Sequence, residues 1–249
     1  MYEMKCRVRY SETDSTGQLK LASLVDLFQD CSIFHAEDAG IGCDYMQENG
    51  WAWMLVSWEI SIHKLPRMGE RLVVTTDPYD FKSFLGFRYF KMYGENGDET
   101  LVEANTSWAF MDLKRQAPTR FPKEMPALYG MGESGIVYPP AKRKMSIPDA
   151  DDAQAGWQDL PSFDVVPGNI DINNHVNNGQ YIHMANAYLP DDFVIGGIRV
   201  EYKKQAKLGD RIYPRISDRN VDETGRRERL INLCDEERNT YCAVMFTEK

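Results

Sequence analysis

No run of this chain approaches the roughly 20 consecutive apolar residues that a membrane-spanning helix requires, so the sequence offers no span. Its opening, MYEMKCRVRYSETD, lacks the apolar core of a signal peptide and the Arg- and Ser-rich, acid-poor character of a transit peptide. A cytoplasmic protein is therefore expected. Cysteine is sparse: Cys6, Cys31, Cys43, Cys234 and Cys242 are odd in number and form no CxxC pair. That spacing argues against a disulfide framework or a thiolate zinc site and for buried free thiols. Basic charge is also short, with 29 Lys and Arg against 38 Asp and Glu and a net charge of -9. Nucleic acid is thereby set aside as the main partner, because phosphate binding needs a concentrated basic field.

What is present describes a globular chain, with 43% hydrophobic and 12% aromatic residues spread along 249 positions. That length accommodates one large core or two ordinary ones. Residues 4–10 alternate polar and apolar and predict a short strand. Leu21, Leu24, Val25 and Phe28 recur at i, i+3, i+4 and i+7, continuing to Ser32 and His35. That spacing predicts a helix with one buried face, ending near Gly40. Aromatic and β-branched runs at 51–63, 70–76, 86–93 and 101–112, separated by PRMGE and GENGDE, read as hairpin-connected strands. From about 115 to 160 periodicity lapses among Pro118, Pro122, Pro126, Pro139, Pro140 and Pro148. The order then restarts: a strand near Phe163, a helical stripe of Tyr181, Met184, Ala185 and Tyr188, and strand-like runs at 194–205, 210–216, 228–234 and 240–247.

The restart is anchored residue by residue. Asp14 to Asp26 lies ungapped on Asp171 to His183, and MGERL at 68–72 matches LGDRI at 208–212. Two anchors in the same order as the repeated elements predict an internal duplication. The expected fold class is α+β: two tandem domains, each an antiparallel sheet wrapped around a central helix, at 1–130 and 156–249 with a linker at 131–155.

The copies differ where chemistry is concerned. The first reads Asp14-Ser-Thr-Gly-Gln18; the second reads Asp171-Ile-Asn173-Asn-His175 and alone has an imidazole there. An Asp, an Asn and a His at i, i+2 and i+4 ahead of a helix can converge in a loop as a site. They can equally be turn and cap residues, as Asp and Asn commonly are. A metal is disfavoured, since no second His or Cys stands at ligand spacing; neither metal nor cofactor is expected.

DINNHVNNGQYI, residues 171–182, resembles the signature D-x-N-x-H-V-N-N-x-x-Y-I of plant and bacterial acyl-acyl-carrier-protein thioesterases. YSETDSTGQLKLASLVDLFQD, WAWMLVSWEI and WAFMDLKRQAPTRFP resemble that family's first domain, so the similarity covers most of the chain. The resemblance implies a double hotdog fold, the first domain shaping an acyl pocket and the second holding the catalytic groups. It also implies hydrolysis of fatty acyl-acyl-carrier-protein thioesters, in fatty acid biosynthesis, with Asp171, Asn173 and His175 as the catalytic set.

In physical terms His175 is suited to general-base work, Asn173 can hold water or the ring, and Asp171 can orient the cluster. Backbone N–H groups of Asn178 or Gly179 at the helix start form a candidate oxyanion site. One departure stands out. Where the family has a Glu, often followed by Cys, after a Glu-Tyr pair, this chain reads Glu201-Tyr-Lys-Lys-Gln205-Ala206. Ala206 removes a cysteine nucleophile, and Gln205 can position water but cannot take its proton. Gln205 is read either so or as an ordinary surface amide, and Glu201 is considered as a replacement acid.

Phe28, Met54 and Trp58 are candidates for the acyl wall, against the alternative of ordinary core packing. An acidic carrier protein calls for basic docking residues: Lys203, Lys204 and Lys207, or Lys142, Arg143 and Lys144, unless these are merely solvated charges. Three other functions compete. They are an acyl-coenzyme A thioesterase, a non-hydrolytic acyl-binding protein lacking the family Glu, and a hotdog dehydratase. A fused double domain already supplies the pairing of single hotdogs, so a homodimer is left open.

Overall fold

The computed structural model describes residues 1–97, 99–142, 144–217 and 225–249; Arg143, named above as a docking candidate, lies outside them. The chain divides into two compact units, residues 1–142 and 143–249, so residues 131–155 are shared between them. Among the described residues no helix is long and apolar enough to cross a membrane.

Unit 1 runs β1 (Tyr2–Arg7), α1 (Leu21–Asp38), α2 (Cys43–Asn49), β2 (Trp51–Ile62), β3 (Arg71–Lys82), β4 (Leu85–Gly94), β5 (Thr100–Asp112), β6 (Ala117–Pro118) and α3 (Met125–Leu128). Its strands pair antiparallel in the order β1-β3-β4-β5-β2, with β6 added to β5. The stripe Leu21, Leu24, Val25, Phe28, Cys31 and Ser32 is buried as its spacing requires. Phe28 meets Trp58 of β2 at 5.9 Å and Phe90 of β4 at 5.2 Å, and the latter two rings lie 5.3 Å apart. Helix α2 was not legible, being a single seven-residue piece with only Met46 buried. Tertiary contacts hold it: Glu37 Oε1 accepts from the Cys43 N–H at 2.8 Å, and Gly50 closes it at φ +69°.

A charged group also lies on the helix side of this sheet. Arg88 is buried, and its Nη1 donates to His35 Nδ1 at 3.0 Å and to Thr76 Oγ1 at 3.1 Å. Its guanidinium stacks 5.2 Å over Tyr129. Burial and then the Arg88 charge push the His35 imidazole down to about 4; the chain N-terminus pushes the same way, and Asp77 and Asp38 oppose. The neutral ring is what an acceptor Nδ1 requires. Unfolding lets His35 take up a proton below its ordinary value near 6.5. Its contribution to stability is therefore complete above pH 6.5 and is lost as pH falls towards 4. Thermal melts between pH 7 and 4 are expected to show native Tm falling with acid, and His35→Gln a shallower fall; equal slopes would refute the assignment.

The opposite face of the sheet is covered by the segment before residue 142. Tyr138 stacks on Tyr89 at 4.7 Å and its hydroxyl donates to Asp77 Oδ2 at 2.9 Å. Asn105 Nδ2 donates to the Pro139 carbonyl at 2.9 Å, and Lys142 pairs with Glu59. Proline-rich chain without periodicity thus packs as an extended strap.

Unit 2 contains β7 (Gln158–Asp159), β8 (Phe163–Asp164), α4 (Asn178–Asn186), β9 (Ile195–Tyr202), β10 (Arg211–Ser217), β11 (Glu228–Cys234) and β12 (Thr240–Glu248). Its antiparallel order is β9-β12-β11-β10-β7, with β8 on β10. Helix α4 buries Gly179, Tyr181, Ile182, Met184 and Ala185. Met145, Ile147 and Trp157 join the cluster of Leu230, Ala243 and Met245, so the residues before β7 also carry core.

The duplication is written in the backbone hydrogen bonds. The Asp14 N–H donates to Gln18 O at 2.8 Å and that of Asp171 to His175 O at 2.9 Å. Leu19 N–H to Pro66 O and Val176 N–H to Ala206 O are both 2.9 Å, and Lys20 N–H to Glu12 O is matched by Asn177 N–H to Asn169 O at 2.9 and 2.8 Å. The one left-handed position of each loop is Gly17 at φ +77° and Asn174 at φ +60°, residue types that tolerate it.

Candidate active site

The loop 171–177 is built before its chemistry. Asp171 Oδ1 accepts the Asn173 N–H at 2.8 Å, as Asp14 Oδ1 accepts the Thr16 N–H at 2.8 Å. This is a side-chain-closed turn, present in the copy that has no histidine. Asn177 then caps α4, its Oδ1 accepting the Gly179 N–H at 2.7 Å.

His175 is half-buried in this loop, between exposed Asn173 and Asn174 on one side and buried Val176 on the other. Its Nδ1 is buried and has no hydrogen-bond partner. Asp171 Oδ1 closes the turn and is not bonded to Nδ1. One expectation is corrected by this geometry. The Gly179 amide is not an open oxyanion donor, because the helix cap uses it. Asn178 sits in the first turn of α4, where its carbonyl accepts from the Tyr202 hydroxyl at 3.0 Å.

Gln205 is exposed in the loop after β9, one residue from Ala206, whose carbonyl takes the Val176 N–H next to His175. That bond ties the segment carrying Gln205 and Ala206 to the loop carrying His175. Ala206 is fully buried, and its N–H donates to the Tyr181 hydroxyl at 2.8 Å. The apolar-stripe reading of α4 passed over that hydroxyl. Burial pushes the Tyr181 phenol well up from its ordinary range, so it stays protonated. Glu201 is not a replacement acid. It is buried, with one oxygen accepting the Met145 N–H and the other held by Lys203 Nζ. Among the described residues no cluster of three His, Cys, Asp or Glu could hold a metal ion.

Of the docking lysines, Lys203 pairs with Glu201 and Lys204 with Asp235 at 2.9 Å. Lys207 is exposed, with its backbone N–H on Asp210 Oδ2 at 2.9 Å. In unit 1, Phe28 and Trp58 are core, 0% and 1% exposed, while Met54 is partly exposed. An open cleft of about 430 Å3 lies elsewhere in that unit, lined by Lys64, Glu70, Arg71, Glu95 and Glu99 among others, and its polar lining does not suit an acyl chain.

Residues 1–129 match the model of the acyl-ACP thioesterase N-terminal domain, and residues 158–247 that of the C-terminal domain. The chain belongs to the acyl-ACP thioesterase family. It is 21% identical over 259 residues to the chloroplastic acyl-(acyl-carrier-protein) hydrolase FATB3 of Cuphea viscosissima, covering 97% of this chain and 60% of that protein. The chain therefore spans about 60% of the length of the curated relatives it matches. Solved structures agree on the double hotdog fold. A proposed oleoyl thioesterase from Lactobacillus plantarum superposes with a TM-score of 0.86 at 20% identity, over 99% of this chain and 94% of that one. An acyl-ACP thioesterase from Bacteroides thetaiotaomicron gives 0.80 at 20% identity, over 99% and 97%.

Proposed function

We propose that the chain hydrolyses fatty acyl-acyl-carrier-protein thioesters to free fatty acid and carrier protein, with catalysis in the C-terminal domain (156–249), acyl binding in the N-terminal domain (1–130) and residues 131–155 between them. The observation that carries the reading is His175: an imidazole with a buried, unpartnered nitrogen, in the loop where the family's C-terminal domain matches. A buried polar atom left without a partner calls for an explanation, and a reacting water or thioester group supplies one.

In this reading water attacks the thioester carbonyl as its proton passes to His175. The tetrahedral intermediate then expels the sulfur, and the imidazolium returns the proton to the departing thiolate. Asn173, in the same loop, and Gln205, in the segment tied to that loop by the Val176–Ala206 bond, are both exposed amides and hold the water. Asp171 contributes by shaping the loop, and Asn178 stands as the oxyanion donor at the helix start. Neither amide takes a proton, so base duty rests on His175. Among the acyl-wall candidates, Met54 is the partly exposed member, and Phe28 and Trp58 lie in the core.

Thiol release from a panel of acyl-carrier-protein thioesters tests the proposal, with turnover on at least one chain length as the expected result. Gln205, an amide where the family has an acid, favours a second reading: an acyl-binding protein without hydrolysis. Binding of acyl-carrier protein with no turnover on any chain length would select it.

For docking, Lys207 is the leading contact, since Lys203 and Lys204 already face carboxylates. Charge reversal at a rim position acts mainly on encounter. Lys207→Glu is expected to raise KM for the acidic carrier substrate several-fold at low salt with kcat unchanged; steady-state kinetics at two ionic strengths would show it, and an unaltered KM would remove Lys207 from the interface.

A further inference from the structure

The two copies of the fold act as each other's control at the site. Every backbone bond that shapes the loop in unit 2 has its counterpart in unit 1, including Val176 N–H to Ala206 O and Leu19 N–H to Pro66 O. The Tyr181 hydroxyl bond to the Ala206 N–H does not. At the matching positions of unit 1 stand Leu24, without a hydroxyl, and Pro66, without an N–H. Donor and acceptor are missing together from the copy whose loop ends in Gln18 rather than histidine. Tyr202 adds a second contact: its hydroxyl donates to the Asn178 carbonyl, and unit 1 lacks the donor, with Ile62 at the corresponding position. The two tyrosine rings meet edge to face at 5.9 Å.

From this we infer that Tyr181, braced by Tyr202, is a positioning residue for hydrolysis: its hydroxyl clamps Ala206, and through the Val176–Ala206 bond it fixes the segment carrying Gln205 against the loop carrying His175. The inference rests on the hydrolase reading above. The Ala206 peptide is held from both sides, its N–H by α4 through Tyr181 and its carbonyl by Val176, the residue after His175. Unit 1 keeps the loop with Pro66 in place of Ala206 and adds a Met68 N–H to Gly17 O bond at 2.9 Å; in unit 2 the Tyr181 hydroxyl is the second holder, and its loss frees the segment carrying Gln205 to swing about the Val176–Ala206 bond. Tyr181 is 2% exposed and touches no reacting atom in this scheme, so its effect is exerted wholly through Ala206.

The test is steady-state hydrolysis of an acyl-carrier-protein thioester by the native protein, Tyr181→Phe, Ala206→Pro and the double variant, each with its thermal melt. Misplacement of a reacting group by an ångström costs up to about 100-fold, so Tyr181→Phe is expected to lower kcat roughly 10- to 100-fold with KM unchanged. Ala206→Pro removes the same bond from its other end, and the backbone accepts proline at the equivalent Pro66. The double variant should consequently be no slower than the slower single one. Should Tyr181→Phe fail to fold, Tyr181→Leu with Ala206→Pro, the pair found in unit 1, takes its place and is expected to show the same loss. Native-like kcat in the single variants, or losses that multiply in the double, would overturn the clamp while leaving the hydrolase reading intact. A native protein without turnover on any chain length would instead remove the hydrolase reading, and the positioning role with it.

Discussion

His175→Ala is expected to lower the rate of thioester hydrolysis by about 1,000-fold, the usual scale for loss of a general base, while leaving the melting temperature within a few degrees of native. The two halves of this expectation have one source. The bonds that build the 171–177 loop are made by backbone groups, by Asp171 and by Asn177, and the His175 Nδ1 makes none. Truncation therefore breaks no hydrogen bond at that atom and removes a buried polar atom whose desolvation opposes folding. A structural histidine would behave oppositely, with a clear drop in Tm and a modest change in rate. Thiol release at saturating substrate together with a calorimetric melt separates the two, and retention of more than about a tenth of the native rate would dismiss His175 as the base.

Phe28→Ala should destabilise the protein by about 3–5 kcal/mol, because the ring is fully buried between Trp58 and Phe90 and its removal leaves a cavity that the sheet cannot collapse into. For a chain of this size that is a fall in Tm of roughly 10 °C, readable by calorimetry or circular dichroism. The same variant decides how the acyl wall is built. If Phe28 is core, stability falls and chain-length preference holds among the molecules that remain folded. If it faces the acyl chain, longer chains gain turnover while Tm stays near native.

How far the sequence could be read is clearest at these same residues. The stripe of α1 was legible because one helix face is buried throughout, which imposes the 3.6-residue spacing. Most strand boundaries fell within a few residues for the corresponding reason. By contrast β3 runs to Lys82, well beyond the expected 76, across Asp77, Pro78 and Asp80. Those residues are poor strand formers, and the hairpin with β4, with a bulge between Pro78 and Asp80, holds them extended. The strap carrying Tyr138 had no period to detect, since its anchoring side chain pairs with a sheet residue 61 positions away.

At the candidate site the order of residues nominated the proposed members: Asp171, Asn173 and His175 in one loop, and Gln205-Ala206 in place of the Glu, often followed by Cys, of the resembling pattern. The internal repeat and its missing histidine in the first copy were likewise present in the linear text. What tertiary structure alone decided was who holds whom. Asp171 closes a turn rather than the imidazole, Asn177 takes the Gly179 amide, Glu201 is buried against Met145 and Lys203, and Tyr181 reaches the Ala206 N–H from 25 residues away. Sequence spacing encodes which face of an element is apolar, because burial repeats along the chain with the period of that element. A single hydrogen bond between distant residues has no period, and its partners become fixed only when the two segments are packed side by side.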